Sequence, residues 1–341
     1  MTQKPNAKSH RSPSSAGPVA RPWIASIKSN KGWLIAGTAA ATLGGAAWFS
    51  RRRARAAEAE CPPAGKFIEV DGVRLHYFDQ GKGSPVVLLH GNGVMLQDFD
   101  VSGVLGLAAE RHRVIAFDRP GFGYSDRPRS RIWTPAAQAA LIAQALRELD
   151  AGPAIIVGHS WGTMVALAMA LDHSESVAGL VLLSGYYYGT ARPDVVPFSV
   201  PALPILGDIV ANTTAPLTGL VTGPLAVKAS FAPAQVSDKF AAFPIGMTLR
   251  PSQVRATAAD TAMMVPGALA LSRRYGELET PVVIMAGEGD LIAHVGKHAA
   301  RLARELTGSE LRIVPEQGHL FHYAVPEQVV AAIEDLEARP R

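Results

Sequence analysis

Ala154–Leu171 reads AIIVGHSWGTMVALAMAL, and the fold of the chain is read outward from it. Four apolar residues, Ala154 to Val157, lead directly into Gly158-His159-Ser160-Trp161-Gly162. Thr163 to Leu171 follows, rich in Ala, Leu and Met, with the composition of a helix. Apolar strand, tight turn and helix form the setting in which G-x-S-x-G carries information. A serine in such a turn needs a strained backbone for its Oγ to stand clear at the carboxyl end of a sheet. The flanking glycines remove Cβ atoms that would collide with the neighbouring strand and helix. Because the helix starts at the same point, unpaired N–H groups and the positive end of its dipole face any oxyanion formed there. Five residues of this pattern also arise by chance, so the reading requires an oxyanion donor, an acid and a histidine further along.

The chain has 341 residues, enough for one large domain and additional segments. With 48% hydrophobic and 18% charged residues it can bury a sizeable core. The net charge of +4 hides a split. Residues 1–65 hold 10 Lys/Arg and 2 Asp/Glu, a net of +8, which leaves 23 basic and 29 − 2 = 27 acidic residues, a net of −4. The remainder is mildly acidic and presents no basic patch for nucleic acid.

Residues 1–32, rich in Ser, Pro, Lys and Asn, read as a disordered basic tail. Trp33 to Phe49 is an uncharged run of 17 residues with aromatic residues at both ends, followed by Arg51-Arg52-Arg53 and Arg55. Residues 33–50 are therefore expected to be a single-span membrane anchor, with the catalytic domain leaning to the cytoplasmic side. The rival is a cleaved signal peptide and a secreted or periplasmic product, but the arginine cluster stands between the run and the small-residue sites. Residues 51–65 read as a linker. The single cysteine, Cys61, excludes an internal disulfide, and no Cys/His cluster with metal-ligand spacing occurs.

Beyond the linker, Asp71-Gly72 separates two short strands, Lys66 to Val70 and Val73 to Phe78, as a hairpin turn. Pro85 to Leu89, Val114 to Phe117 and Val177 to Leu183 are further apolar strands, with helices expected over Leu96 to Glu110 and from Pro135 to Leu149. Val282 to Ala286, a helix near Val295 to Leu306, Leu311 to Val314 and a helix from Pro326 complete the alternation. Strands alternating with helices predict a mostly parallel eight-stranded α/β sheet covered on both faces. Core segments at 66–185 and 280–341 enclose residues 186–279, a proline-rich stretch too long for a structureless loop. It reads as an inserted helical lid.

Taken together, HGNG at 90–93, DRPGFGYSDRP at 118–128, GHSWG at 158–162, GEGD at 287–290 and QGH at 317–319 make the chain resemble the α/β-hydrolase fold family. The resemblance runs from about residue 66 to the carboxyl end. It is to the lid-bearing branch of esterases, epoxide hydrolases, haloalkane dehalogenases and proline iminopeptidases. It implies a triad in the order Ser, acid, His. Asp290 matches the family's acid position and His319 its histidine. Glu288 lies too close to the strand end, and His322 lacks the preceding glycine. His90 and His159 recur in the family as structural residues, and the remaining histidines read as surface or packing residues.

The family chemistry implies that His319 takes the Ser160 proton while Asp290 orients the imidazole. The backbone N–H groups of Trp161 and Asn92 would form the oxyanion hole. Serine at 160 disfavours dehalogenation and epoxide opening, which use an aspartate nucleophile. HGNG replaces the iminopeptidase Gly-Gly-Pro loop, which disfavours aminopeptidase activity. The expected function is hydrolysis of a small apolar ester or related acyl substrate, with no cofactor and no metal. Tyr186, Tyr187 and Phe198 are the substrate-contact candidates. Carbon–carbon hydrolysis or perhydrolysis would use the same triad. A non-catalytic binding protein on this scaffold would be expected to lack a triad or oxyanion residue, and none is missing.

Overall fold

The computed structural model describes residues 23–339. Eight strands form one sheet in the order β1-β2-β4-β3-β5-β6-β7-β8. They are β1 (Lys66–Val70), β2 (Val73–Gln80), β3 (Pro85–Leu89), β4 (Arg113–Phe117), β5 (Ala154–His159), β6 (Val177–Leu183), β7 (Val282–Gly287) and β8 (Glu310–Val314). Only β2 runs against its neighbours; β3 to β8 are parallel. Alternation along β3 explains why both faces are covered. Val87 and Leu89 pack on one face with helices Pro135–Glu148 and Gly162–Asp172, and Val86 and Leu88 pack on the other with Pro326–Glu337. Thr134 caps the first of these helices, its Oγ1 accepting from the Ala137 N–H at 3.1 Å.

Two expected helices are shorter or broken. Gly103, at φ 95°, divides the stretch after β3 into Gln97–Ser102 and Val104–Ala109. The helix before β8 covers only Ala299–Glu305. Between β6 and β7 the chain is helical, chiefly Leu206–Asn212, Thr214–Phe231 and Pro251–Ser272.

The amino-terminal reading needs correction. Residues 1–22 lie outside the described residues, so the tail expected there is not addressed by the structure. Trp23–Glu60 is one 38-residue helix, which takes in residues 23–32 of the expected tail and most of the expected linker. Arg51 to Glu60 is made of Arg, Ala and Glu, all strong helix formers, and only Cys61 to Gly65 remain as linker. Ala57 packs with Met95, Phe243 and Met247, and the Tyr124 hydroxyl donates to the Cys61 carbonyl at 2.6 Å. No single described helix is long and apolar enough to cross a membrane. The physical reason lies in the run itself: six Ala, three Gly and two Thr among residues 33–49 dilute Leu34, Ile35 and Leu43.

Candidate active site

Ser160 sits between β5 and helix Gly162–Asp172 at φ 50°, the strained turn its sequence setting predicts. Its N–H donates to the Leu183 carbonyl at 2.8 Å, and its own carbonyl accepts from the Thr163 hydroxyl at 2.6 Å. A Cβ on Gly162 would overlap the Leu89 carbonyl oxygen, and one on Gly158 would meet the Gly162 carbonyl carbon at 2.8 Å. Glycine is thus required on both sides of the turn.

The carboxyl ends of β7 and β8 bring the other two residues in. His319 Nε2 lies 2.8 Å from Ser160 Oγ, and His319 Nδ1 lies 2.8 Å from Asp290 Oδ2. Asp290 Oδ1 accepts from the N–H groups of Ile292 and Ala293 at 2.8 and 2.9 Å. Burial alone would raise the Asp290 carboxyl, but His319 and these two donors hold it down at about 2. An ionised Asp290 fixes the hydrogen on His319 Nδ1 and leaves Nε2 free to accept from the serine. Glu288 instead accepts from the Glu316 N–H on the exposed side of the loop.

The two expected oxyanion donors are positioned differently. The Trp161 N–H stands at the start of its helix, where first-turn donors have no intrahelical partner. Asn92 is oriented through the peptide that precedes it. The Gly91 carbonyl oxygen accepts from Arg119 Nη2 at 2.9 Å and lies 2.7 Å from His90 Nδ1. In a trans peptide the N–H points opposite to the carbonyl, so this anchoring aims the Asn92 N–H away from Arg119. Gly91, Asn92, Ser160, Trp161 and His319 all line one cavity of about 620 Å³. Burial first, then the nearby Arg119 charge, push the His90 imidazole down to about 3, so it is neutral, and its Nε2 accepts from the Arg119 N–H at 3.0 Å.

Arg119 is the residue sequence reading missed. Fully buried, it donates to the carbonyls of His90 and Gly91, to Gln138 and to Asp260. Asp260 belongs to helix Pro251–Ser272, and its carbonyl accepts from the Trp161 indole N–H at 2.9 Å. Asn92 Nδ2 reaches the same helix, donating to Thr261 Oγ1 at 2.9 Å. Arginine within the DRPGFGYSDRP stretch was the available signal. Its partner is distant in sequence and left none.

Of the three substrate-contact candidates, Tyr186 and Phe198 line the cavity. Tyr187 does not: it is fully buried in the main hydrophobic cluster, with the Tyr275 hydroxyl donating to its carbonyl at 2.7 Å. Tyr186 instead faces the cavity, its hydroxyl 3.0 Å from Thr190 Oγ1 and its ring centroid 4.5 Å from that of His298. His76, His112, His298 and His322 are buried, and His76 pairs with Asp118 at 2.7 Å. The cavity walls are largely apolar. Its one arginine, Arg192, is already held by Asp194 at 2.7 Å. A smaller cavity of about 160 Å³ near Phe49 and Leu249 contains no nucleophile–base pair.

With this geometry in view, a sequence model of the alpha/beta hydrolase fold matches residues 84–324. The chain belongs to the α/β-hydrolase fold family. Within that family it is 37% identical over 127 residues to a 2-hydroxymuconate semialdehyde hydrolase of Pseudomonas putida. That match takes in 36% of this chain and only 44% of the relative's length. An uncharacterised protein of Mycobacterium tuberculosis is 29% identical over 301 residues, 83% of this chain and 84% of its own. A thermophilic esterase from Thermogutta terrifontis superposes with a TM-score of 0.65 at 22% identity, covering 80% of this chain and 97% of the esterase. At that identity the likeness speaks to the fold alone.

Proposed function

We propose that this α/β hydrolase cleaves a small, apolar carboxylic ester or related acyl compound through an acyl-enzyme on Ser160. The observation that carries the reading is the hydrogen-bonded line from Ser160 Oγ through His319 to Asp290, open to a largely apolar cavity. As Oγ attacks the acyl carbon, its proton passes to His319 Nε2, and Asp290 stabilises the imidazolium that forms. Negative charge gathers on the acyl oxygen, facing the N–H groups of Trp161 and Asn92; losing one such donor costs about 3 kcal/mol of transition-state stabilisation. His319 then protonates the departing alcohol. Water, deprotonated by His319, attacks the acyl-enzyme, and the acid leaves as Ser160 regains its proton.

A second reading, carbon–carbon hydrolysis, is supported by the similarity to the 2-hydroxymuconate semialdehyde hydrolase. The pairing of Arg192 with Asp194 weighs against it, because a substrate carboxylate entering the cavity would meet an arginine already held by another carboxylate. Rapid-mixing kinetics with p-nitrophenyl acetate, butyrate and hexanoate test the proposal. A burst of one nitrophenolate per chain followed by slower turnover supports an acyl-enzyme. Turnover of 2-hydroxymuconate semialdehyde without ester cleavage would replace it with the second reading. Stoichiometric ligand binding without turnover of either would indicate a non-catalytic protein.

Location is a separate proposal. The uncharged run at 33–49, its aromatic ends and the arginines after it support membrane association with the catalytic part on the cytoplasmic side. Recovery of the full-length chain from the soluble fraction at low salt would contradict it.

A further inference from the structure

Beside the triad, three buried side chains from distant parts of the chain converge. Asp98 comes from helix Gln97–Ser102, His159 ends β5, and His322 lies in the turn Phe321–Tyr323. Asp98 Oδ2 stands 3.2 Å from His322 Nε2 and 3.6 Å from His159 Nδ1, and the three atoms lie within 4.8 Å of one another. None of the three has a hydrogen-bond partner among the described residues. The shorter separation is within hydrogen-bonding range, so the misfit there is one of direction.

Geometry sharpens the misfit. His159 Nε2 lies 3.2 Å from the His319 carbonyl oxygen, which can only accept, so Nε2 carries a hydrogen. A neutral His159 then presents a bare lone pair on Nδ1, the form that ligates a metal, towards the Asp98 carboxylate oxygen, with the His322 nitrogen beside them.

We propose that Asp98 Oδ2, His159 Nδ1 and His322 Nε2 form a binding site for a zinc-class divalent cation. Separations of 3.2 and 3.6 Å suit ligands that each lie about 2.0–2.2 Å from a shared ion. Two imidazoles and one carboxylate select zinc-like ions over calcium or magnesium, which take oxygen ligands. The outer contacts fit as well. His159 Nε2–H faces a backbone carbonyl, and Asp98 Oδ1 accepts from the Tyr323 hydroxyl at 2.9 Å, the kind of support that orients metal-bound side chains. The spacing along the chain, 98, 159 and 322, explains why no metal motif is visible in the sequence. The ion would join the end of β5 to the loop carrying His319, and no step of ester hydrolysis passes through it.

The test uses the full-length chain without a histidine tag, stripped by a chelator, loaded with Zn²⁺ and desalted before metal analysis. The expected result is one zinc ion retained per chain, a Tm raised by a few degrees, and visible absorption when Co²⁺ replaces Zn²⁺. Asp98→Asn and His322→Gln should each lose the bound ion and the Tm shift. If either variant fails to fold, the metal content and Tm of the wild type decide. No stoichiometric zinc and no Tm shift in the wild type would overturn the site, leaving a shared proton or water at the cluster. Equal retention of zinc by both folded variants would overturn it too, by placing the ion elsewhere.

Discussion

Arg119 Nη1 lies 2.6 Å from Asp260 Oδ2, and both side chains are completely buried. The pair joins the loop after β4 to helix Pro251–Ser272, while the same guanidinium holds the His90 and Gly91 carbonyls. The helical stretch between β6 and β7 and the loop after β3 therefore share one buried cation. Removing one partner leaves the other charge uncompensated, so Asp260→Ala should cost about 3–5 kcal/mol of stability. Chemical denaturation measures it. Arg119→Lys, which cannot donate to two carbonyls and a carboxylate in the same fork geometry, should lower kcat on the order of 10²-fold with a smaller change in KM.

Ser160→Ala and His319→Ala should each lower kcat by about 10⁴-fold or more while leaving the far-ultraviolet circular dichroism unchanged. Because the two residues act as a unit, the double variant should be scarcely slower than either single one. Additive losses in steady-state kinetics would argue against a shared proton transfer.

Gly162→Ala probes the backbone of the elbow. The added methyl overlaps the Leu89 carbonyl oxygen, which belongs to a central strand and cannot retreat. The variant should be insoluble or destabilised by several kcal/mol, the range expected when a core is overpacked against backbone. Gly152→Ala is the control, since nothing lies within 4 Å of its Cβ position.

Acid should destabilise the fold in two stages. Burial, opposed by neighbouring carboxylates and reinforced by neighbouring cations, pushes His90 down to about 3 and His298 down to about 4 from an ordinary 6.5. The unfolded chain therefore takes up these protons first. Stability is complete above about pH 6.5 and declines as pH falls towards 4 and then 3. Asp290 and Asp98 have the opposite relation to their charged form. Held at about 2 against an ordinary 3.8, they contribute stability above about pH 4 that is lost as pH falls through 2. Urea midpoints should be level from pH 7.5 to about 6.5 and fall from there to pH 3.5, and His298→Gln should flatten the upper part of that decline.

Phe198 is 66% exposed yet lines the cavity, which places it at the mouth. Phe198→Ala should raise KM for longer apolar esters on the order of 10-fold and leave acetate esters nearly unchanged. A chain-length series separates this from a general loss of activity.

Much of the site is legible in the sequence because its constraints are local. The elbow at 158–162 needs glycine on both sides of a strained serine, and that requirement appears within five residues. Asp290 and His319 follow strand ends, which apolar runs mark. The rest is decided by contacts between distant segments. Arg119 finds its carboxylate 141 residues away. Tyr186 and Tyr187 are neighbours whose fates diverge through distant segments, Tyr187 held by the Tyr275 hydroxyl and Tyr186 packed beside His298, and nothing in their identity says which enters the cavity. At the amino terminus, a composition read as tail, anchor and linker is a continuous helix from Trp23 to Glu60, since Ala, Arg and Glu propagate a helix regardless of the boundaries between those functions.

The most direct measurement is reaction of the full-length chain with a fluorophosphonate, followed by peptide mapping by mass spectrometry. One adduct per chain is expected, on Ser160, lost in Ser160→Ala and strongly slowed in His319→Ala. A folded wild type that takes no adduct, or carries it on another residue, would contradict the assignment of Ser160 as the nucleophile.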